Sequence, residues 1–190
     1  EIKAIGRTLN IVRIGTSGSV QADIPVDSFV ISEKSIGCDG VLRFYANNES
    51  VCDHPFEEAF IRHCRWTPSA ARPYVVNADP GLVDRLYDEE HTIKGVTLTA
   101  VGFYGPQGRV LRLPLAMPGI NDRITAFRYE GYKVTNYEME SAAITGLCNL
   151  LGHRAATICL IIANRINGDA SADYHSYMNK LIRYTLEKLS

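Results

Sequence analysis

The sequence predicts an α/β domain whose central sheet is covered on both faces by helices. Strand-like and helix-like runs alternate along the chain, which is the order that builds layered α/β folds. At least one strand candidate, His153–Ile162 (HRAATICLII), is almost continuously apolar, as expected of a strand buried on both sides. The bulk numbers agree: 190 residues, 46% hydrophobic and 22% charged, suit one globular domain spanning 1–190.

The elements follow in order. Leu9–Ile14 (LNIVRI) is a strand that delivers the chain into a Gly15–Gly18 loop. Ser28–Ile36 and Val41–Tyr45 alternate like strands. Residues 46–72 hold a helix around Glu57–Cys64 between loops marked by Pro55 and Pro68. Asp79-Pro80 opens the next helix, with Asp as N-cap and Pro at the first helical position. Val96–Val101 is a strand that leads into Gly102–Arg109. Asp122–Tyr129 reads as a helix, Lys133–Tyr137 as a short strand, and Met139–Leu151 as a helix stopped by Gly152. After the apolar strand, Asp173–Leu189 ends the chain as an amphipathic helix.

Composition excludes several functions. A formal net charge of −1 removes any strong case for a nucleic-acid or anionic-membrane surface, and neither partner is expected. No apolar stretch reaches the roughly 18 residues that span a bilayer, and no signal-like segment opens the chain, so the cytoplasm is the expected location. The five cysteines are scattered without a C-x-x-C pair, and the five histidines show no H-x-x-x-H spacing. Neither a disulfide frame nor a transition-metal site is expected.

Three polar motifs sit where strands are expected to end, the usual ligand position in such sheets. Arg13–Gly18 (RIGTSG) combines glycines that let a ligand approach the backbone with a guanidinium and two hydroxyls, which suits an oxyanion such as phosphate. It lacks the spacing of a P-loop, and a plain polar turn is the alternative. Phe103–Arg109 (FYGPQGR) offers an aromatic face, an amide and a guanidinium, matching a planar heterocycle with carbonyls and an N–H. A turn with a solvated Arg is its alternative. Asn136–Ser141 (NYEMES) places Glu138 and Glu140 around Met139 at a helix start. Two solvated acids at the positive end of a helix would give this pattern. So would an acceptor for vicinal sugar hydroxyls with Met139 as an apolar floor. The strand end Asn164–Asp169 (NRINGD) carries Arg165 as a site residue or a loop cation.

Taken together and in order, R-I-G-T-S-G, F-Y-x-x-Q-G-R, N-Y-E-M-E-S and I-I-A-N-R resemble the uridine-specific branch of the nucleoside phosphorylase family, from Arg13 to Arg165. The resemblance implies a three-layer fold, a central mixed sheet flanked by helices, and a pentosyltransferase that cleaves uridine reversibly to uracil and ribose 1-phosphate. It gives Arg13 and Thr16 to phosphate, and Thr16, Glu138, Met139 and Glu140 to ribose. Phe103, Gln107, Arg109, Ile162 and Arg165 fall to the base, with Arg109, Gln107 and Glu140 catalytic. No organic cofactor is implied, phosphate being a co-substrate, and the partners are small molecules within a homo-oligomer built from dimers, as a dimer or hexamer. Purine-specific relatives of this fold place a Ser-Asp pair where this chain has Asn164-Arg165, which favours a pyrimidine. Other base preferences, hydrolysis of the nucleoside, and a non-catalytic nucleoside-binding protein are the competing functions. The family pattern also begins with a Gly-Asp-Pro phosphate loop, a further phosphate-binding Arg and a second glycine-rich loop. None of these precedes Arg13, so the expectation is an N-terminally incomplete piece of a longer enzyme, favoured over a truncated, inactive relative because the uracil and ribose motifs are intact.

Overall fold

A computed structural model describes residues 6–190. Eight strands, β1 (Asn10–Ser19), β2 (Phe29–Gly37), β3 (Tyr74–Asn77), β4 (Thr92–Thr99), β5 (Arg128–Tyr129), β6 (Tyr132–Glu138), β7 (Arg154–Asn164) and β8 (Asp169–Ala170), form a mixed sheet. Five helices flank it: α1 (His54–Cys64), α2 (Pro80–Leu86), α3 (Ile120–Ala126), α4 (Ser141–Leu150) and α5 (Tyr174–Leu189). The central mixed sheet flanked by helices is the predicted fold class.

The path runs β3-β2-β4-β6-β1-β7-β8 and then closes, because β2 also pairs with β7. One side of β2 is parallel to β4 along its length. Its other side changes partner halfway, being antiparallel to β7 over Phe29–Ser32 and to β3 over Lys34–Gly37. β1 runs parallel to β7 over its full length, from Asn10↔Arg154 to Ser19↔Asn164. Against β6 it makes only two antiparallel registers, Gly18↔Tyr137 and Ser19↔Asn136. Before Gly18, over Arg13–Ser17, β1 and β6 are not paired, and the wedge between the two strands is where the site forms.

Four apolar clusters fill the space between sheet and helices. Phe56 and Phe60 of α1 pack edge-on against Phe127, below Val75, Leu98 and Val134 of the sheet. Leu82, Val83 and Leu86 of α2 and Leu181 of α5 cover Ile31, Ile158 and Leu160 on the opposite side. Ala142 of α4 meets Leu42 and Tyr74. Each fully buried side chain of this size contributes roughly 1.5–3 kcal/mol. The fit is close at Gly37, where an added Cβ would fall within the Tyr74 ring. Gly37→Ala is therefore expected to destabilise the fold by about 1–3 kcal/mol, measurable as a lower urea midpoint with an unchanged slope.

Several expectations are corrected. The predicted loop at Gly15–Gly18 is strand, because the glycines stay in register with β7 and the ladder absorbs one shift between Ser17 and Gly18. Val41–Tyr45 is not a strand: Val41–Phe44 is a 3-10 turn entered through Gly40 at φ 72, with Asp39 Oδ1 accepting from the Val41 N–H. The helix predicted at Asp122–Tyr129 ends at Ala126, and β5 and β6 follow as a hairpin turned by Glu130 and Gly131, both at positive φ. Strand β6 continues to Glu138, so α4 begins at Ser141 rather than Met139.

Candidate active site

One cavity of about 600 Å³ is bounded by β1, the loop after β4, the β6–α4 junction, the end of β7 and Met178 of α5. All ten residues singled out in the sequence line it: Arg13 and Thr16 from β1, Phe103, Gln107 and Arg109 from the loop, Glu138, Met139 and Glu140 from the junction, and Ile162 and Arg165 from the β7 end. Ser17 and Tyr137, which lie inside the motifs without a role of their own there, also line it, as does Met178, which carries no sequence signal. A larger and mainly apolar cavity of about 970 Å³ adjoins it and shares Arg109 and Tyr137. Converging charged groups occupy the smaller one.

At one end sits a carboxylate–guanidinium cluster. A buried carboxylate is costly unless its oxygens are bonded, and Glu138, 4% exposed, has both occupied. Its Oε1 accepts from Thr99 Oγ1 at 2.5 Å, and its Oε2 accepts the backbone N–H groups of Glu140 and Ser141 at 2.8 Å each. Thr99 Oγ1 in turn accepts the Ala142 N–H at 2.9 Å. Glu138 thus caps the first turn of α4 from the strand before it. Glu138→Ala is expected to lower stability by about 2–4 kcal/mol, through the lost cap and the broken buried pair. Calorimetric or urea unfolding checks it.

Arg13 crosses from β1 to this cluster, pairing with Glu140 through Nη2 and with Glu138 at 3.3 Å through Nη1. Nη1 also donates to Cys159 Sγ at 3.3 Å. The guanidinium folds back over Gly15, where a Cβ would lie 2.5 Å from Nη1. A side chain there would push the guanidinium out of this position. Burial works against the Arg13 charge, but Cys159, Glu138 and Glu140 outweigh it and hold the pKa above the ordinary guanidinium value. Burial raises the Cys159 thiol to about 12, so it stays protonated beneath Arg13.

The other end is built differently. Gln107 is buried, and its Oε1 accepts from Arg109 Nη1 at 2.7 Å and from Arg165 Nη2. Arg109 Nη1 also donates to the Phe103 carbonyl at 2.5 Å, and its Cζ lies 3.9 Å from the Phe103 ring centroid. Arg165 donates to the Gln107 carbonyl at 3.1 Å and stacks on Tyr137, 4.5 Å from the centroid. Both contacts are cation–π geometry. Among the described residues neither guanidinium forms an ion pair. Burial first, and the like charge of Arg109 second, push Arg165 down to about 10, which leaves it charged at neutral pH. Burial also lowers Arg109. With Oε1 committed to two cations, Gln107 presents its amide N–H groups rather than both faces.

Asn164 fixes this end of β7. Its Nδ2 donates to the carbonyls of Gln21 and Ile24 at 2.9 and 2.8 Å, and its Oδ1 accepts the N–H groups of Ile166 and Asn167 at 2.9 Å each. The Arg165 N–H donates to Ser19 O at 3.0 Å. The arrangement as a whole offers a bonded cation between two acids at one end, and two unpaired cations with an amide at the other. Among the described residues, no group of three or more His, Cys, Asp or Glu side chains could hold a metal.

Comparisons with known proteins bear on the family and the fold. Residues 2–185 match the phosphorylase superfamily. Uridine phosphorylase A of Schistosoma mansoni is 36% identical over 160 residues, covering 83% of this chain and 49% of that protein. Uridine phosphorylase of Thermococcus kodakarensis is 26% identical over 175 residues, covering 89% and 53%. The chain therefore spans about half the length of these curated relatives. Among solved structures, a nucleoside phosphorylase of Trypanosoma brucei, described as showing uridine phosphorylase activity, superposes with a TM-score of 0.76 at 23% identity, covering 95% of this chain and 63% of that one.

Proposed function

The chain belongs to the phosphorylase superfamily, and from that premise we propose that it works as a uridine phosphorylase, a pentosyltransferase of pyrimidine salvage and nucleoside catabolism. The observation that carries the base assignment is the pair of guanidiniums, Arg109 and Arg165, that converge on one Gln107 oxygen without a carboxylate partner among the described residues. Such a seat is short of negative charge. Uracil leaving C1′ of a nucleoside takes the bond pair on N1 and spreads it onto O2 and O4, and preorganised donors stabilise that charge best where water is excluded.

The rest of the cavity supplies the other two subsites. Phosphate sits against Arg13 and Thr16, and the ribose lies between it and the base, over Met139. Glu140 is the carboxylate for the sugar hydroxyls, because the oxygens of Glu138 are committed to the α4 turn and to Thr99. Glu138 then serves the sugar by holding Glu140 in place. In the reaction a phosphate oxygen bonds to C1′ as the C1′–N1 bond breaks through an oxocarbenium-like sugar. The bond pair leaves with uracil, which takes a proton from solvent, and ribose 1-phosphate remains. Phe103 and Ile162 flank the base. Phosphate is the only co-substrate the reading needs.

No described helix is long and apolar enough to cross a membrane. The cytoplasm is the location proposed. Val110, Leu111 and Leu113 form an exposed apolar run beside the base loop, and such runs mark interfaces, which supports a homo-oligomer built from dimers.

Equilibrium binding of uridine, thymidine and inosine tests the base assignment. Uridine is expected to bind at least tenfold more tightly than inosine, whose N7 would face guanidiniums instead of a carboxylic acid. Inosine binding as tightly as uridine would contradict it.

A further inference from the structure

The geometry points to Asn121, on α3 and outside the cavity, as the residue that positions the base-recognition loop. The proposal rests on the base assignment above and deepens it. Asn121 Nδ2 donates to the carbonyls of Gln107 and Gly108 at 3.2 and 3.3 Å, while its Oδ1 accepts from Tyr137 Oη at 3.2 Å. Flipping the amide would set an oxygen against two carbonyls and a nitrogen against a hydroxyl, so its orientation is determined by its partners.

These contacts form a closed ring. Asn121 holds the Gln107 backbone, Gln107 accepts from Arg165, Arg165 stacks on the Tyr137 ring, and the Tyr137 hydroxyl returns to Asn121. Gly108, at φ +70, brings its backbone so near that a Cβ would lie 2.5 Å from Asn121 Nδ2. Only a residue without a side chain lets the amide reach both carbonyls there.

The platform beneath the ring is anchored in the core. Ile120 and Ile124 bury α3 in the core, and Arg123 Nε donates to the Cys64 carbonyl at 2.7 Å. The loop after β4, by contrast, exposes Phe103 and Tyr104 and has its own tight turn at Gly105–Gln107. Asn121 is what ties that turn to the helix. Because the loop carries Gln107 and Arg109, freeing it displaces two donors at once, and small displacements of a recognition group are costly.

The test compares Asn121→Asp and Asn121→Ala with the wild-type chain. Asp keeps the volume but turns an acceptor toward two carbonyls. Both variants are expected to raise the uridine KM and the uracil Kd about tenfold or more, with the phosphate KM within twofold of wild type. Hydrogen exchange at residues 107–109 should quicken while α3 and β6 keep their protection. A merely structural role would loosen α3 as well and shift both KM values together. Should the Asn121 variants fail to fold, Tyr137→Phe, which removes only the hydroxyl that orients the amide, should shift uridine binding and loop exchange in the same direction to a smaller extent. Unchanged loop exchange and uridine binding in folded Asn121 variants, or in Tyr137→Phe where those do not fold, would overturn the proposal. Absence of uridine turnover by the wild type would instead count against the functional reading, and loop exchange in the variants would still decide the role of Asn121.

Discussion

Arg109→Ala is expected to lower kcat/KM for uridine by about 10²-fold or more, in line with removal of a preorganised donor from a developing anion. Arg109 sits over Phe103 and donates to Gln107 Oε1 and the Phe103 carbonyl, so alanine also releases the aromatic wall and half of the clamp on Gln107. The loss should fall mainly on kcat, because charge on the base grows as the glycosidic bond breaks. Arg109→Lys is expected to recover only part of the rate, since an ammonium cannot reproduce the planar fork that spans Gln107, Phe103 and a base oxygen. Steady-state kinetics at saturating phosphate checks this. A kcat/KM within threefold of wild type would place base recognition elsewhere.

Arg13→Ala should remove phosphate-dependent activity to a similar extent, with kcat/KM for phosphate down about 10²-fold, because charge-assisted bonds to an oxyanion are each worth roughly 1.5–3 kcal/mol. The change has a second effect. Arg13 separates Glu138 from Glu140 in charge as well as in space, and without it two carboxylates face an incoming anion. Arg13→Lys keeps one positive charge and should retain more phosphate affinity than Ala. It cannot bridge both acids and Cys159 as the guanidinium does, so it should still fall short of wild type. Kinetics against phosphate at fixed uridine, beside a thermal unfolding curve, separates lost binding from lost stability. Unchanged phosphate kinetics would move the oxyanion subsite away from β1.

Much of this was legible in the sequence because the motifs are short and local. The α2 start at Asp79-Pro80 needs only a cap and a proline, and Asp79 Oδ1 does accept the Leu82 N–H at 2.9 Å. The apolar run before Asn164 needs only burial on two faces, and β7 lies between β1 and β2. What failed locally failed for a non-local reason. Gly15 and Gly18 read as a loop because glycine is a poor strand former, but β7 pairs with each residue and supplies the ladder that propensity lacks. Tyr74–Asn77 was invisible as a strand because it is short and follows Arg72-Pro73, and its place comes from the second half of β2. Val41–Tyr45 has strand alternation, yet Phe44 and Tyr45 are exposed and find no partner strand.

The site divides in the same way. The ten residues picked from motifs share one cavity, because four sequence-distant segments meet where β6 parts from β1. Their division of labour was not readable. That Glu138 is bonded to backbone N–H groups and Glu140 is the exposed arm depends on α4 beginning two residues later than its apolar pattern suggests. Asn121 could not be found from sequence, since its partners at Gln107 and Gly108 are backbone carbonyls that any residue would offer.

The most direct measurement of the whole account is product formation from uridine with and without inorganic phosphate. The account predicts uracil and ribose 1-phosphate in equal amounts when phosphate is present, and neither when it is omitted. Uracil released at the same rate without phosphate would make the protein a hydrolase, and bound uridine that is never cleaved in phosphate would make it a binding protein; either result contradicts the phosphorylase reading.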